Sequence, residues 1–157
     1  MNMLSWRAKR RMKKLAIVGL FSVLTCGAAS ADGSVSSLRM GMGAPNYAAF
    51  QRFQSVIAQY NASGERFRID GHCQSACTMF LSIRNVCVTP NAILLFHAGG
   101  DMKAGRINPA RSQEMLMTYN SALRRYVADN HYMDTFAFHP ISGRDIVARF
   151  GYPACKS

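Results

Sequence analysis

The sequence predicts one α/β domain, and three observations predict it. Helical stripes of apolar residues alternate with short apolar runs of strand length, the helices carry recognisable caps and stops, and no internal repeat or low-complexity segment interrupts the pattern. The domain is expected over residues 32–157, behind a segment of a different kind at 1–31.

That first segment has the three parts of a cleavable secretory signal, namely a basic stretch Arg7 to Lys14, an apolar run Leu15 to Leu24, and the small-residue site Ala29-Ser30-Ala31. The apolar run is about half the 18–20 residues that a membrane span needs, and no later stretch qualifies. Cys26 raises a lipid-attachment reading, which the residues before it, Val23-Leu24-Thr25, do not favour. Export to the periplasm or the exterior is the expectation. Six of the 19 basic residues and none of the eight acidic ones precede residue 32, so the remaining chain carries a net charge of about +5. Its arginines are spread singly except at Arg124-Arg125, with no interleaved basic and aromatic patch, which argues against a nucleic-acid partner.

Four cysteines follow the signal: Cys73, Cys77, Cys87 and Cys155. An even number in a small exported chain predicts two disulfides, with three connectivities open. Cys155, close to the end, is expected to tie the C-terminus back to the domain. A four-thiolate zinc site would need a second knuckle pair beside Cys73/Cys77, and a thioredoxin-like pair would need C-x-x-C where the chain has C-x₃-C. His72, His131 and His139 have no metal spacing, and the ten methionines read as gap-fillers. Neither a metal nor a cofactor is expected.

Along the domain, residues 32–43 form a Ser- and Gly-rich leader with a short strand at Val35 to Met40. Pro45 fits a first helical turn, and Tyr47, Phe50, Phe53, Val56, Ile57 and Tyr60 make one core-facing stripe that ends at Asn61-Ala62-Ser63-Gly64. Phe67 to Asp70 alternates as a strand, Gly71 breaks it, and Ala76 to Leu81 reads as a buried helix, so the chain turns sharply near Ser75. Val86-Cys87-Val88 is a second strand, and Ala92 to Phe96 is a central buried one ending at His97. Asn108 and Pro109 start a long helix to about Asn130, with Leu116, Leu123 and Val127 on one face. Ser142-x-x-Asp145 caps a final helix that Gly151 stops.

Chemistry concentrates between Gly71 and His97. A serine at a strand-to-helix turn has an exposed hydroxyl, and the adjacent N–H groups, unpaired at a helix start, suit an oxyanion. A histidine ending a neighbouring strand can take the serine proton, and a carboxylate can fix its tautomer. The order Ser, His, Asp differs from the Ser, Asp, His order of α/β-hydrolases, whose G-x-S-x-G elbow is absent. The competing reading makes Ser75 a plain helix cap, His97 a hydrogen-bonded strand end, and Tyr119, Tyr126 and Tyr132 helix packing.

The phrases Gly71-His72-Cys73-Gln74-Ser75-Ala76-Cys77 and Pro90-Asn91-Ala92-Ile93-Leu94-Leu95-Phe96-His97 resemble the Clp-protease and crotonase superfamily, and more closely its secreted periplasmic Clp-like members. The tail Ser142 to Tyr152 is similar to that family's last short helix. The resemblance spans about a third of the domain. It implies a Clp/crotonase-like domain truncated at its N-terminal edge, with Ser75 as nucleophile, His97 as general base and the Ala76 N–H as an oxyanion donor. Asp134 stands where the family's acidic residue precedes the last helix, Asp101 is the nearer alternative, and Asp145 is assigned to the cap. The family's second oxyanion donor comes from a Gly-Gly turn before the first helix, where this chain has Met40-Gly41-Met42-Gly43-Ala44-Pro45. The intact Ser-to-His stretch implies a serine hydrolase or peptidase for peptide or acyl substrates. The altered Gly phrase implies instead a non-catalytic periplasmic binding or envelope-associated module. Ring assembly, common among the relatives, is left open.

Overall fold

The computed structural model describes residues 33–36 and 47–156. The segment read as a secretory signal, Pro45 and the Met40 to Pro45 phrase lie outside them. Among the described residues the strands form two three-stranded sheets and one hairpin, with an isolated bridge between Val88 and Ala154. In the first sheet, β1 (Gly33–Ser34), β2 (Phe67–Ile69) and β4 (Val86–Val88) run parallel in that order. In the second, β5 (Ile93–Phe96) is central, parallel to β3 (His72–Gln74) and antiparallel to β8 (His139–Ser142). The hairpin pairs β6 (Gly100–Asp101) with β7 (Arg106–Ile107). The mixed α/β class is the one expected.

Helix α1 (Tyr47–Ser63) buries Phe50 and Tyr60 and sets Phe53, Val56 and Ile57 against the core, as its stripe predicts. The apolar centre is aromatic: Phe67 lies 4.7 Å from Phe80 and 4.9 Å from Tyr60, and Phe53 lies 5.3 Å from Phe80, in tilted or edge-on contacts. Residues Ser75–Ser82 form a 3-10 helix whose Ala76 to Leu81 are all buried, so the buried helix expected there is present in its tighter form.

The long helix expected over 108–130 is two helices, α2 (Pro109–Met117) and α3 (Ser121–Asp129). The break has a local cause. Thr118 turns its hydroxyl onto the Met115 carbonyl at 2.6 Å, and Asn120 is extended and accepts the Leu123 N–H as a new N-cap. Short polar side chains compete in this way with helical bonding. Asn120 also donates from Nδ2 to the Phe150 carbonyl at 2.7 Å, and its N–H donates to the Tyr152 hydroxyl at 2.8 Å. What the break achieves is the burial of Tyr119, whose ring meets Phe96 edge-on at 5.3 Å.

Strand β8 is an element the sequence reading does not contain, and Pro140 sits inside it. Its place on the sheet edge resolves the conflict, since an edge strand tolerates a residue with no N–H to donate. The leader strand falls on Gly33–Ser34, with Val35 and Ser36 in a turn and the rest of Val35 to Met40 outside the described residues. The last helix, α4 (Gly143–Phe150), has the expected cap. Ser142 Oγ accepts the Asp145 N–H and donates to the Asp145 carboxylate at 2.7 Å, and Gly151 closes the helix at φ 72°.

The cysteines pair as Cys73–Cys77 and Cys87–Cys155. The second does tie the C-terminus back. The tail also bonds to β4, with the Val88 N–H on the Pro153 carbonyl and the Cys155 N–H on the Val88 carbonyl. All four thiols are used, so neither a four-thiolate metal site nor a free dithiol is formed. Among the described residues no helix is long and apolar enough to cross a membrane.

Asn120 should therefore carry stability through two separable interactions. Asn120→Ala is expected to lower the unfolding free energy by about 2 kcal/mol, from a lost cap and a lost hydrogen bond of about 1 kcal/mol each. Asn120→Asp keeps the cap acceptor and should lose only about half of that. Denaturant titrations of the disulfide-intact protein would show it, and equal losses in the two variants would mean that the cap contributes nothing.

Candidate active site

Ser75 and His97 are brought to the same end of the second sheet by one strand pairing. In the parallel register of β3 on β5, Gln74 lies opposite Leu95, so the residues that follow, Ser75 and His97, leave adjacent strands one ladder step apart. Ser75 adopts φ 58°, a left-handed conformation that side-chain-bearing residues rarely occupy, and it is the first residue of the 3-10 helix. The cap position belongs to Gln74, and no side-chain capping bond is made there. Ser75 is thus a strained turn residue and not the helix cap that the simpler reading assigns. Strain of this kind, about 1–3 kcal/mol, persists only where the surroundings over-determine it. Here the Cys73–Cys77 disulfide brackets the turn, with the two Cα atoms 5.3 Å apart. Ala76 follows in the first turn of the helix, where N–H groups lack partners within the helix.

His97 is 4 % exposed. Its Nδ1 lies 2.7 Å from the Ala98 carbonyl oxygen. A carbonyl only accepts, so the proton of the neutral ring belongs on Nδ1 and the lone pair on Nε2. Nε2 is buried and has no hydrogen-bond partner. The ring is walled by Phe138 at 5.0 Å, edge-on, and Phe136 at 6.1 Å. Burial is the main cause that lowers the His97 pKa below its ordinary 6.5, the Ala98 carbonyl opposes it, and the charge of His139 adds to the lowering. The imidazole is held neutral at neutral pH.

The expected third partner is elsewhere. Asp134 Oδ2 is 2.9 Å from His131 Nδ1, in an exposed pair on the loop before β8, and the Asp134–His97 bond anticipated from sequence is not formed. The reason is that His97 Nδ1 is already on a backbone carbonyl of its own chain neighbour. Asp101 faces away as well: its carboxylate accepts the Ala104 N–H and lies 3.4 Å from Arg106 Nη2 across the hairpin. Asp145 is in the α4 cap. No hydrogen bond joins Ser75 and His97, since neither imidazole nitrogen has Ser75 as partner.

The segment that follows His97 is pinned on both sides. The Ala98 N–H donates to the Thr135 carbonyl at 2.8 Å, and the Gly99 N–H donates to Ser112 Oγ at 2.9 Å. A Cβ on Gly99 would come within 2.9 Å of the α2 backbone, so this approach requires glycine. A cavity of about 410 Å³ lies beyond this seam, lined by Ile107, Pro109, Leu116, Ala128, Met133 and Asp134 among others, and neither Ser75 nor His97 reaches it.

Sequence reasoning missed Phe136, Phe138 and His139 as neighbours of His97. Alternation of apolar residues around Pro140 was the available signal. It also placed Tyr119 among the packing residues, whereas the Tyr119 hydroxyl is buried 2.6 Å from Thr78 Oγ1. Among the described residues no group of three or more His, Cys, Asp or Glu side chains could hold a metal ion.

No family model matches this chain, and no curated protein matches it. Among solved structures it is similar to an enoyl-CoA hydratase/isomerase from Marinobacter aquaeolei, at 13% identity and a TM-score of 0.45. The match covers 71% of this chain, which spans only 40% of that protein's length.

The proton placement on His97 can be checked directly. Nitrogen-detected NMR of the imidazole should show Nδ1 protonated and Nε2 bare at neutral pH, with a midpoint below 6.5. The sign for stability follows: as pH falls below 6.5 the unfolded chain takes up this proton before the folded one does, so His97 should cost stability progressively on acidification and nothing above that pH. A midpoint at or above 6.5 would contradict a buried neutral ring.

Proposed function

We propose that the chain is an exported serine-hydrolase-like protein of Clp/crotonase-like fold, formed by residues 32–157 after removal of 1–31, that acts on peptide or acyl substrates. The observation that supports this reading most is the state of His97: a neutral imidazole with a buried, unpartnered Nε2 at the same sheet end as a strained serine. The two disulfides support an oxidising compartment.

In this reading Ser75 Oγ attacks the substrate carbonyl carbon while His97 Nε2 takes the hydroxyl proton. The Ala76 N–H stabilises the resulting oxyanion, and the imidazolium returns the proton to the leaving amine or alcohol. A water then repeats the sequence on the acyl-enzyme and regenerates Ser75. The Ala98 carbonyl performs the orienting task for which Asp134 was the sequence candidate. A carbonyl fixes the tautomer as a carboxylate does, but it carries no full charge to stabilise the imidazolium, so catalysis of modest power is the expectation.

A second reading, a non-catalytic binding or envelope-associated module of the same fold, has its own support. Ser75 and His97 are not hydrogen-bonded to each other, and among the described residues no carboxylate is bonded to the imidazole.

Labelling of the purified, disulfide-intact protein with a fluorophosphonate separates the two. The hydrolase reading expects labelling that disappears in Ser75→Ala, falls about 100-fold or more in His97→Ala, and changes less than about twofold in Asp134→Asn, whose carboxylate serves His131. No labelling of a well-folded wild type would leave the binding module as the account. The labelling rate should hold level from neutral pH down past 6.5 and fall only in more acid solution, because the base is active when neutral and its pKa is lowered.

A further inference from the structure

Two buried hydroxyls beside the Ser75 turn are left without a role by the reading above. Thr78 is fully buried and Tyr119 is 3 % exposed. Valine and phenylalanine would fill the same space without removing two hydroxyls from water, so the pair is retained against a desolvation penalty. Thr78 Oγ1 lies 2.7 Å from the Ser75 carbonyl oxygen and 2.6 Å from the Tyr119 hydroxyl. The directions follow from proton counting. The Ser75 carbonyl can only accept, which uses the single Thr78 proton, so Tyr119 must donate to Thr78. Burial raises the Tyr119 pKa, which keeps that donor protonated throughout the range in which the protein is folded.

The chain of bonds Tyr119 to Thr78 to Ser75 ends on the one non-glycine residue of the second sheet and its 3-10 helix that has positive φ. A carbonyl fixed at Ser75 restricts the ψ of that residue, while the β3 pairing and the disulfide restrict the chain on either side. We propose that Thr78 and Tyr119 are positioning residues that lock the Ser75 turn in its left-handed conformation and so set the direction of the Ser75 hydroxyl and the Ala76 N–H. The effect on reactivity rests on the hydrolase reading, and the effect on the turn does not. Tyr119 can serve because the α2–α3 break delivers it, so the device joins the turn to a separate part of the fold.

The test compares wild type with Thr78→Val, Thr78→Ser and Tyr119→Phe in the disulfide-intact protein, reading fluorophosphonate labelling and hydrogen exchange at the Ala76 and Cys77 amides. The expected result is labelling slowed about tenfold or more in Thr78→Val and Tyr119→Phe, restored in Thr78→Ser, with exchange at the two amides faster by a similar factor in the first two variants alone. Wild-type labelling and exchange in a folded Thr78→Val or Tyr119→Phe would overturn the proposal while leaving the hydrolase reading intact. If the wild type does not label, that reading fails and exchange decides: acceleration in Thr78→Val that Thr78→Ser reverses supports the lock, and unchanged exchange overturns it. Should Thr78→Val not fold, Tyr119→Phe carries the same comparison, since its ring contact with Phe96 survives loss of the hydroxyl.

Discussion

Parallel pairing of His72–Gln74 with Ile93–Phe96 is the constraint on which the rest of the site depends. Parallel strands cannot be joined by a tight turn, so the chain between them has to leave the sheet, cross and return. Here the crossing is made by the 3-10 helix and β4, and Phe80 of that helix packs on Phe67 of β2. Both strands then end on the same side. The polar residues after their last rungs, Ser75 and His97, leave the sheet at the same end although 22 positions separate them in the chain. A slip of one residue in this register would turn Leu94 and Phe96 out of the core, and the apolar burial of those two side chains therefore fixes where the imidazole stands.

Sheet pairing alone would not hold a serine at positive φ. Three restraints act on that turn, and they differ in kind: a covalent bridge across it, a ladder that ends immediately before it, and a hydroxyl on its carbonyl. The bridge and the hydroxyl come from the turn's own neighbours, Cys73, Cys77 and Thr78, and the ladder comes from the distant strand β5. His97 is restrained in a comparable way, with its ring nitrogen on Ala98, the next N–H on Thr135 and the one after on Ser112. Two groups with chemical potential are thus rigid, while the carboxylates nearby, Asp101 and Asp134, stand on exposed loops and satisfy local partners.

The parts legible in the sequence were those written in local chemistry. The α1 stripe, the Ser142-x-x-Asp145 cap, the Gly151 stop and the turn at Ser75 each depend on residues within one or two helical turns, and each is present where expected. The parts that were not legible depend on distant partners. Residues 108–130 carry a continuous helical stripe, and nothing local shows that Asn120 will find the Phe150 carbonyl and the Tyr152 hydroxyl 30 positions or more away. Pro140 argues against a strand until β5 is seen to leave an open edge for it. Asp134 was chosen by its place before the last helix, and a competing acceptor one residue beyond His97 could not be read from that place.

That last substitution, a backbone carbonyl where a carboxylate was expected, changes what the site can do. A carboxylate beside an imidazole raises its pKa and stabilises the cation that forms as the serine proton arrives; a carbonyl orients the ring and offers only a dipole. With burial lowering the His97 pKa at the same time, the imidazole would serve, in the proposed hydrolase, as a base available over a wide pH range but a weak one. Brønsted behaviour then limits proton transfer from serine unless the hydroxyl is aimed well, so the geometry of the Ser75 turn has to supply what charge does not. This places the weight of any chemistry on the restraints around Ser75 and makes the buried Thr78–Tyr119 pair the feature that most separates a working nucleophile from a serine that merely occupies a turn.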